Sequence, residues 1–154
     1  MIKRYDFDNF IVTNKNDFAY SAAKAITQFL GTSYNPLFIY GSAGVGKTHL
    51  LYAIMNEIIK KDKNNNALCI DIATVKNINY LNIKDLDVLL VDNFETINGN
   101  YEMQKVLVRK FKQLLLYDKQ IVISSRNELN KLDILYELES QIEQGLYAKI
   151  DNWL

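Results

Sequence analysis

The sequence predicts an α/β domain, a parallel sheet with helices on both faces, built around a phosphate-binding loop. Three observations make the prediction. Gly41-Ser42-Ala43-Gly44-Val45-Gly46-Lys47-Thr48 fits the pattern G-x-x-x-x-G-K-[ST]. It sits between a short apolar run at 37–40 and an apolar-periodic run that opens at His49, so strand, loop and helix follow one another as an anion site requires. Further apolar runs alternate with helical periodicities to the end of the sequence, the pattern of parallel strands joined by helical crossovers.

The elements follow in order. Residues 1–16 form an N-terminal arm whose segment 5–12 is aromatic, without helical period, and expected to be extended and tied down by Phe7 and Phe10. Residues 17–154 form the α/β core, so that 1–154 make one domain. A helix is expected from 17 to about 30, capped by Asn16 or Asp17 and stopped at Gly31. The single proline, Pro36, falls just before the strand at 37–40, where it breaks no ladder. After the loop helix, polar residues 60–66 read as a solvated connection, and 67–72 as a second strand. Residues 74–87 carry no period strong enough to assign. The run at 88–91 is a third strand, apolar on both faces as parallel strands under helices are. A helix over 101–117 aligns Met103, Val106, Leu107, Phe111, Leu114 and Leu115 on a core-facing stripe. A fourth strand at 121–123, a helix within 129–142 and a last strand at 146–150 complete the chain.

A chain of 154 residues, 49% apolar and 23% charged, suits one soluble domain with a sizeable core. Its 18 basic and 18 acidic residues cancel, whereas a protein that binds duplex nucleic acid unaided shows a basic excess or stripe. Strong direct nucleic-acid binding is therefore disfavoured. The lone Cys69 lies in an apolar run, reads as a small buried hydrophobe and permits no internal disulfide. Neither a signal-type apolar segment nor a run of membrane-spanning length occurs, so the expected location is cytoplasmic, without membrane attachment. The ten tyrosines are scattered and form no stacking platform.

The loop carries the chemistry. Gly41, Gly44 and Gly46 are expected to take positive φ and let the backbone approach phosphate oxygens, with Ser42, Ala43 and Val45 completing the cradle. Lys47 would meet the β- and γ-phosphates, and the Thr48 hydroxyl would ligate Mg²⁺. Asp92, ending the third strand, is the second expected Mg²⁺ group, acting mostly through water. The ligand is thus ATP or ADP with Mg²⁺. Efficient hydrolysis needs a carboxylate just beyond Asp92, and the residue there is Asn93, whose amide binds water but cannot take its proton near neutral pH. Glu95, two residues further on, is expected to point elsewhere. The prediction is binding without efficient turnover, with no residue assigned a catalytic role. His49, the only histidine, is counted with the nucleotide-binding residues of the loop and is expected to pack or cap rather than catalyse.

The aromatic segment 5–12, the Phe18-Ala19-Tyr20 and Ala22-Ala23 of the first helix, Tyr34 to Gly41 and Gly46-Lys47-Thr48-His49-Leu50-Leu51 together resemble the AAA+ nucleotide-binding core of the bacterial replication initiator family DnaA. The resemblance covers nearly the whole chain. It implies a five-stranded sheet of order 5-1-4-3-2 and places Phe10, Ile11 and Val12 near the adenine. It also assigns Ser125 and Arg126 to the first sensor region, where the initiator tends to carry Asp in place of Arg126.

The departures from the initiator carry expectations too. Only residues 72–86 occupy the place of a DNA-engaging helical insertion, and neither the helical lid nor the helix-turn-helix domain is expected. The family would place arginines at Glu137 and Gln141, one of them the finger that completes a neighbour's site, and an amide cannot replace a guanidinium there. Asp92-Asn93-Phe94-Glu95 is similar to the Asp-Asn-x-Glu form of Hda, the compact relative that pairs with DnaA to restrain initiation, although the glutamine-led clamp-binding peptide of Hda has no counterpart. The resemblance therefore implies an Hda-like regulator or adaptor in replication initiation, partnered by DnaA or another replication protein, as a monomer or small oligomer. The alternative is an active ATPase of the DnaC helicase-loader type.

Overall fold

The computed structural model describes residues 5–152; residues 1–4 of the expected arm and 153–154 of the expected core lie outside them. The elements are α1 (Asp17–Gln28), β1 (Leu37–Tyr40), α2 (Lys47–Lys61), β2 (Ala67–Asp71), β3 (Val88–Asp92), α3 (Tyr101–Leu116), β4 (Gln120–Ser125), α4 (Tyr136–Glu143) and β5 (Leu146–Lys149), with short 3₁₀ turns at Ile78–Tyr80, Phe94–Ile97 and Leu129–Lys131. The five strands form one sheet in the order β2-β3-β4-β1-β5 with every pairing parallel. This is the order the resemblance implied.

Strand side chains alternate between faces, and the two faces feed two cores. Leu37, Ile39, Val88, Leu90 and Val122 point toward α1, α2 and the arm residues Phe7 and Phe10. Phe38, Leu89, Val91, Ile121 and Ile123 point toward α3, α4 and the segment before β3. All five residues of β3 are buried, as a central parallel strand demands. Each such aliphatic side chain contributes about 1.5–3 kcal/mol.

Four differences from the expected elements have identifiable causes. The arm is turned rather than extended: Asp6 N–H donates to Asn9 Oδ1 at 3.2 Å and Asn9 N–H to Asp6 Oδ1 at 2.9 Å, which curls it so that Phe7 and Phe10 both reach the core. Asn16 sits at the start of α1 but does not cap it. Its amide instead fixes the arm, accepting from Thr13 N–H at 2.8 Å and donating to Ile11 O at 3.0 Å. β4 is longer than its apolar run because polar Gln120 is fully buried and satisfied, accepting from Gly31 N–H at 3.0 Å and donating to Tyr34 O at 2.8 Å. The segment without a sequence period, 74–87, and Ile72 just before it are held by tertiary contact. Ile72, Ile78, Ile83 and Leu86 are buried in the second core, and Lys110 Nζ donates to Leu81 O at 2.8 Å.

Candidate functional site

The carboxyl ends of β1, β3 and β4 converge where the chain turns from β1 into α2, the place where open parallel sheets bind ligands. Val45 is buried and anchors the loop. Gly44 and Gly46 take positive φ, 82° and 107°. Gly41 does not; it is required for closeness instead, since a Cβ there would lie 2.5 Å from Ile150 O. Ser42 Oγ faces the chain end and donates to Asn152 Oδ1.

Lys47 Nζ bends back under the loop, donating to Gly41 O at 2.5 Å and Ser42 O at 2.8 Å. Burial lowers the pKa of this ammonium, and the Arg126 charge lowers it further, against Glu95 and Asp92, which raise it. Thr48 Oγ1 donates to Asp92 Oδ2 at 2.9 Å, so the two residues expected to share a metal are in direct contact. The other Asp92 oxygen accepts from the Ser124 hydroxyl and, at 3.1 Å, from Asn93 N–H. A threonine hydroxyl and one buried carboxylate suit Mg²⁺, which takes hard oxygen donors and is held by one or two carboxylates plus phosphates and water. No group of three or more His, Cys, Asp or Glu able to hold a metal occurs among the described residues.

The arm closes one side. Asp6 O and Asn9 Oδ1 each lie 3.0 Å from His49 Nε2; both are acceptors, so Nε2 carries the hydrogen. The His49 ring also packs against Tyr5 and Phe10, both at 5.1 Å between centroids. His49 thus packs against the arm and tethers it, and it also lines the cavity over the loop. Phe10 lies above the loop, its Cε1 3.3 Å from where a Cβ on Gly46 would sit. Ile11 and Val12 are exposed, Ile11 to 72%, and neither lines the cavity over the loop. That cavity, about 330 Å³, is walled by Ala43, Gly44, Gly46, Lys47 and Thr48, by Tyr5 and His49, and by Asn93, Glu95 and Arg126.

On the far wall, sequence reasoning missed two residues. Asn93 adopts left-handed φ/ψ of 56° and 44°, and its Nδ2 donates to Asp71 Oδ1 at 2.8 Å, which draws the amide toward the end of β2. From that kink the 3₁₀ turn Phe94–Ile97 swings Glu95 back over the loop, where its Oε1 accepts from Arg126 N–H at 2.7 Å. The expectation that Glu95 points elsewhere is therefore wrong. The second missed residue is Ser124, which reaches Asp92, while the buried Ser125 hydroxyl turns to the following loop and donates to Asn127 O at 2.7 Å. Of the two sensor-region residues, only Arg126 lines the cavity. Gln141 does not project as a finger would: its Nε2 donates to Val108 O on α3 at 2.9 Å, whereas Glu137 is exposed.

A parallel five-stranded sheet with a strand–loop–helix phosphate cradle and an acid at the tip of the neighbouring strand defines the phosphate-loop nucleotide-binding class, in its AAA+ form. More narrowly, residues 1–149 match the family model of the bacterial DnaA ATPase domain, and the chain belongs to that family. The chromosomal replication initiator protein DnaA of Onion yellows phytoplasma (strain OY-M) is 35% identical over 164 residues, covering 97% of this chain and 32% of its own length. Domain III of the Thermotoga maritima replication initiation protein DnaA superposes with a TM-score of 0.88 at 34% identity, over 97% of this chain and 68% of that one. AMPPCP-bound DnaA from Aquifex aeolicus gives 0.85 at 33%, over 97% and 50%. The chain thus spans about a third of the length of its curated relative. No helix among the described residues is long and apolar enough to cross a membrane.

Proposed function

We propose that this chain, as one domain over 1–154, binds ATP or ADP with Mg²⁺ at the phosphate loop. We further propose that it acts as a nucleotide-dependent, Hda-like regulator or adaptor in replication initiation, partnered by DnaA or another replication protein. Membership of the family and the AMPPCP-bound Aquifex relative support the ligand. The observation that carries the reading is the Thr48–Asp92 contact directly beside the loop lysine. Lys47 would leave its two loop carbonyls for phosphate oxygens, and the loop N–H groups with the start of α2 would hold the anion. Thr48 and Asp92 would hold Mg²⁺, which when bound supplies neutralisation of phosphate charge. Phe10 and the arm would form the wall beside the base.

Turnover in isolation is slow on this reading. Asn93 offers an amide tied to Asp71, and Gln141 offers no guanidinium to a neighbour. Calorimetric titration with ATP, ADP and Mg²⁺, paired with phosphate release on the same sample, tests it, and nucleotide-dependent co-elution with purified DnaA tests the partner. Lys47→Ala is expected to weaken nucleotide binding by about 100-fold, the scale of losing charge-assisted hydrogen bonds. Wild-type affinity in that variant, or no binding by the unaltered chain, would refute the site.

A further inference from the structure

Glu95 is the one carboxylate that lines the cavity over the phosphate loop among the described residues. We propose that Glu95 is the general base for the slow hydrolysis of a nucleoside triphosphate bound there, an inference that rests on the nucleotide-binding reading above.

The other acidic and amide groups are ruled out by their bonds. Asp92 is 7% exposed, with one oxygen taken by Thr48 and the other by Ser124 and Asn93 N–H. Asn93 is held by Asp71 and cannot accept a proton near neutral pH in any case. Asp71 Oδ1 is taken by Asn93 and by Ala73 N–H at 2.9 Å, and Asp71 does not line the cavity.

Glu95 differs on each point. One oxygen is anchored by Arg126 N–H at 2.7 Å, which fixes the carboxylate's direction. Oε2 has no hydrogen bond among the described residues and can accept one from water. The group shares its cavity with Lys47 and Arg126, the cations that would gather the phosphates. In the step, the oxygen of water attacks the γ-phosphorus while its proton passes to Glu95 Oε2. The bond from that phosphorus to the β,γ-bridging oxygen breaks, and its electron pair leaves on the nucleoside diphosphate. Inorganic phosphate is the second product, and Glu95 returns its proton to solvent.

Glu95→Gln tests the assignment, because the amide oxygen still accepts from Arg126 N–H. Single-turnover hydrolysis of ATP by excess protein, followed across pH, is measured beside equilibrium ATP affinity. The expected result is a rate about 100-fold lower and loss of the acid-side limb of the pH profile, with ATP bound as tightly as before or more so, since a negative charge facing the phosphates has been removed. Rate and affinity falling together would mark Glu95 as merely structural and overturn the proposal. So would an unchanged rate, or wild-type protein that binds ATP without any turnover. Wild-type protein that fails to bind nucleotide would instead overturn the site itself.

Discussion

The tether between the arm and the phosphate-loop helix gives a prediction with a calculable size. His49→Ala removes one donated hydrogen, shared between Asp6 O and Asn9 Oδ1, and two ring contacts, to Tyr5 and Phe10. A hydrogen bond contributes about 1 kcal/mol net and an aromatic pair about 0.5–1.5 kcal/mol. Because His49 is only half-buried, the low end applies, a total of about 2 kcal/mol, or about 30-fold in the ratio of docked to undocked arm. The loss is local, since the arm can lift while the sheet stays intact. Amide hydrogen exchange measures it. Asn9 N–H, bonded to Asp6 Oδ1, and Phe10 N–H, bonded to Phe7 O at 3.3 Å, should lose about 30-fold protection, while Ile54 and Ile58 in α2 exchange as before. Unchanged exchange at Asn9 and Phe10 would show that burial of the two phenylalanines alone holds the arm, and that His49 tethers nothing.

Two further predictions concern the scaffold. At Gly145 an added Cβ would lie 1.8 Å from Pro36 O, the oxygen that also accepts Leu146 N–H at 3.0 Å. Backbone meets backbone there and no rotamer relieves it, so Gly145→Ala should cost about 3 kcal/mol or more and lower Tm by about 10 °C; a shift within about 2 °C would refute it. Burial pushes the Cys69 thiol up to about 12, with the Asp92 and Asp71 charges adding and a Tyr52 hydrogen bond opposing. The native thiol should therefore react with a thiolate-selective reagent about a thousandfold more slowly than in denatured protein. The sign for stability follows: the unfolded thiol ionises near its ordinary value of 9 while the folded one holds its proton to about 12, so this group lowers stability as pH rises through that window. Equal native and denatured reaction rates would contradict both statements.

Regular elements were legible because their signals are local. Short apolar runs, the helical stripe from Met103 to Leu115 and the loop pattern are each contained in a short stretch of sequence, and each element appears within a few residues of its expected bounds. What escaped was decided by partners distant in sequence. Glu95 returns to the cavity because Asn93 takes a left-handed conformation and its amide finds Asp71 across the sheet. Asparagine is among the few residues that visit that region readily, and this was the one signal in the sequence that the chain could kink there. Ser124 rather than Ser125 meets Asp92, although two adjacent serines on a strand must face opposite ways; the register against β3, not visible in the sequence, decides which. Residues 74–87 lacked a period because Ile78, Ile83 and Leu86 join the second core from a segment with no long regular element of its own.

The strand order also governs when this site can come into being. β1 carries the phosphate loop, yet its neighbours in the sheet are β4 and β5, with Leu37 paired to Val122 on one side and Leu146 on the other. Gly41 donates its N–H to Ser125 O at 3.1 Å, and Ile150 donates to Tyr40 O at 2.8 Å. The glycines are thus made early in synthesis but acquire their framework only when nearly the whole domain has left the ribosome. Such long-range pairing makes folding slow. On the proposed reading of the site, the amino-terminal half alone would not hold a nucleotide, and ligand binding would report completion of the fold.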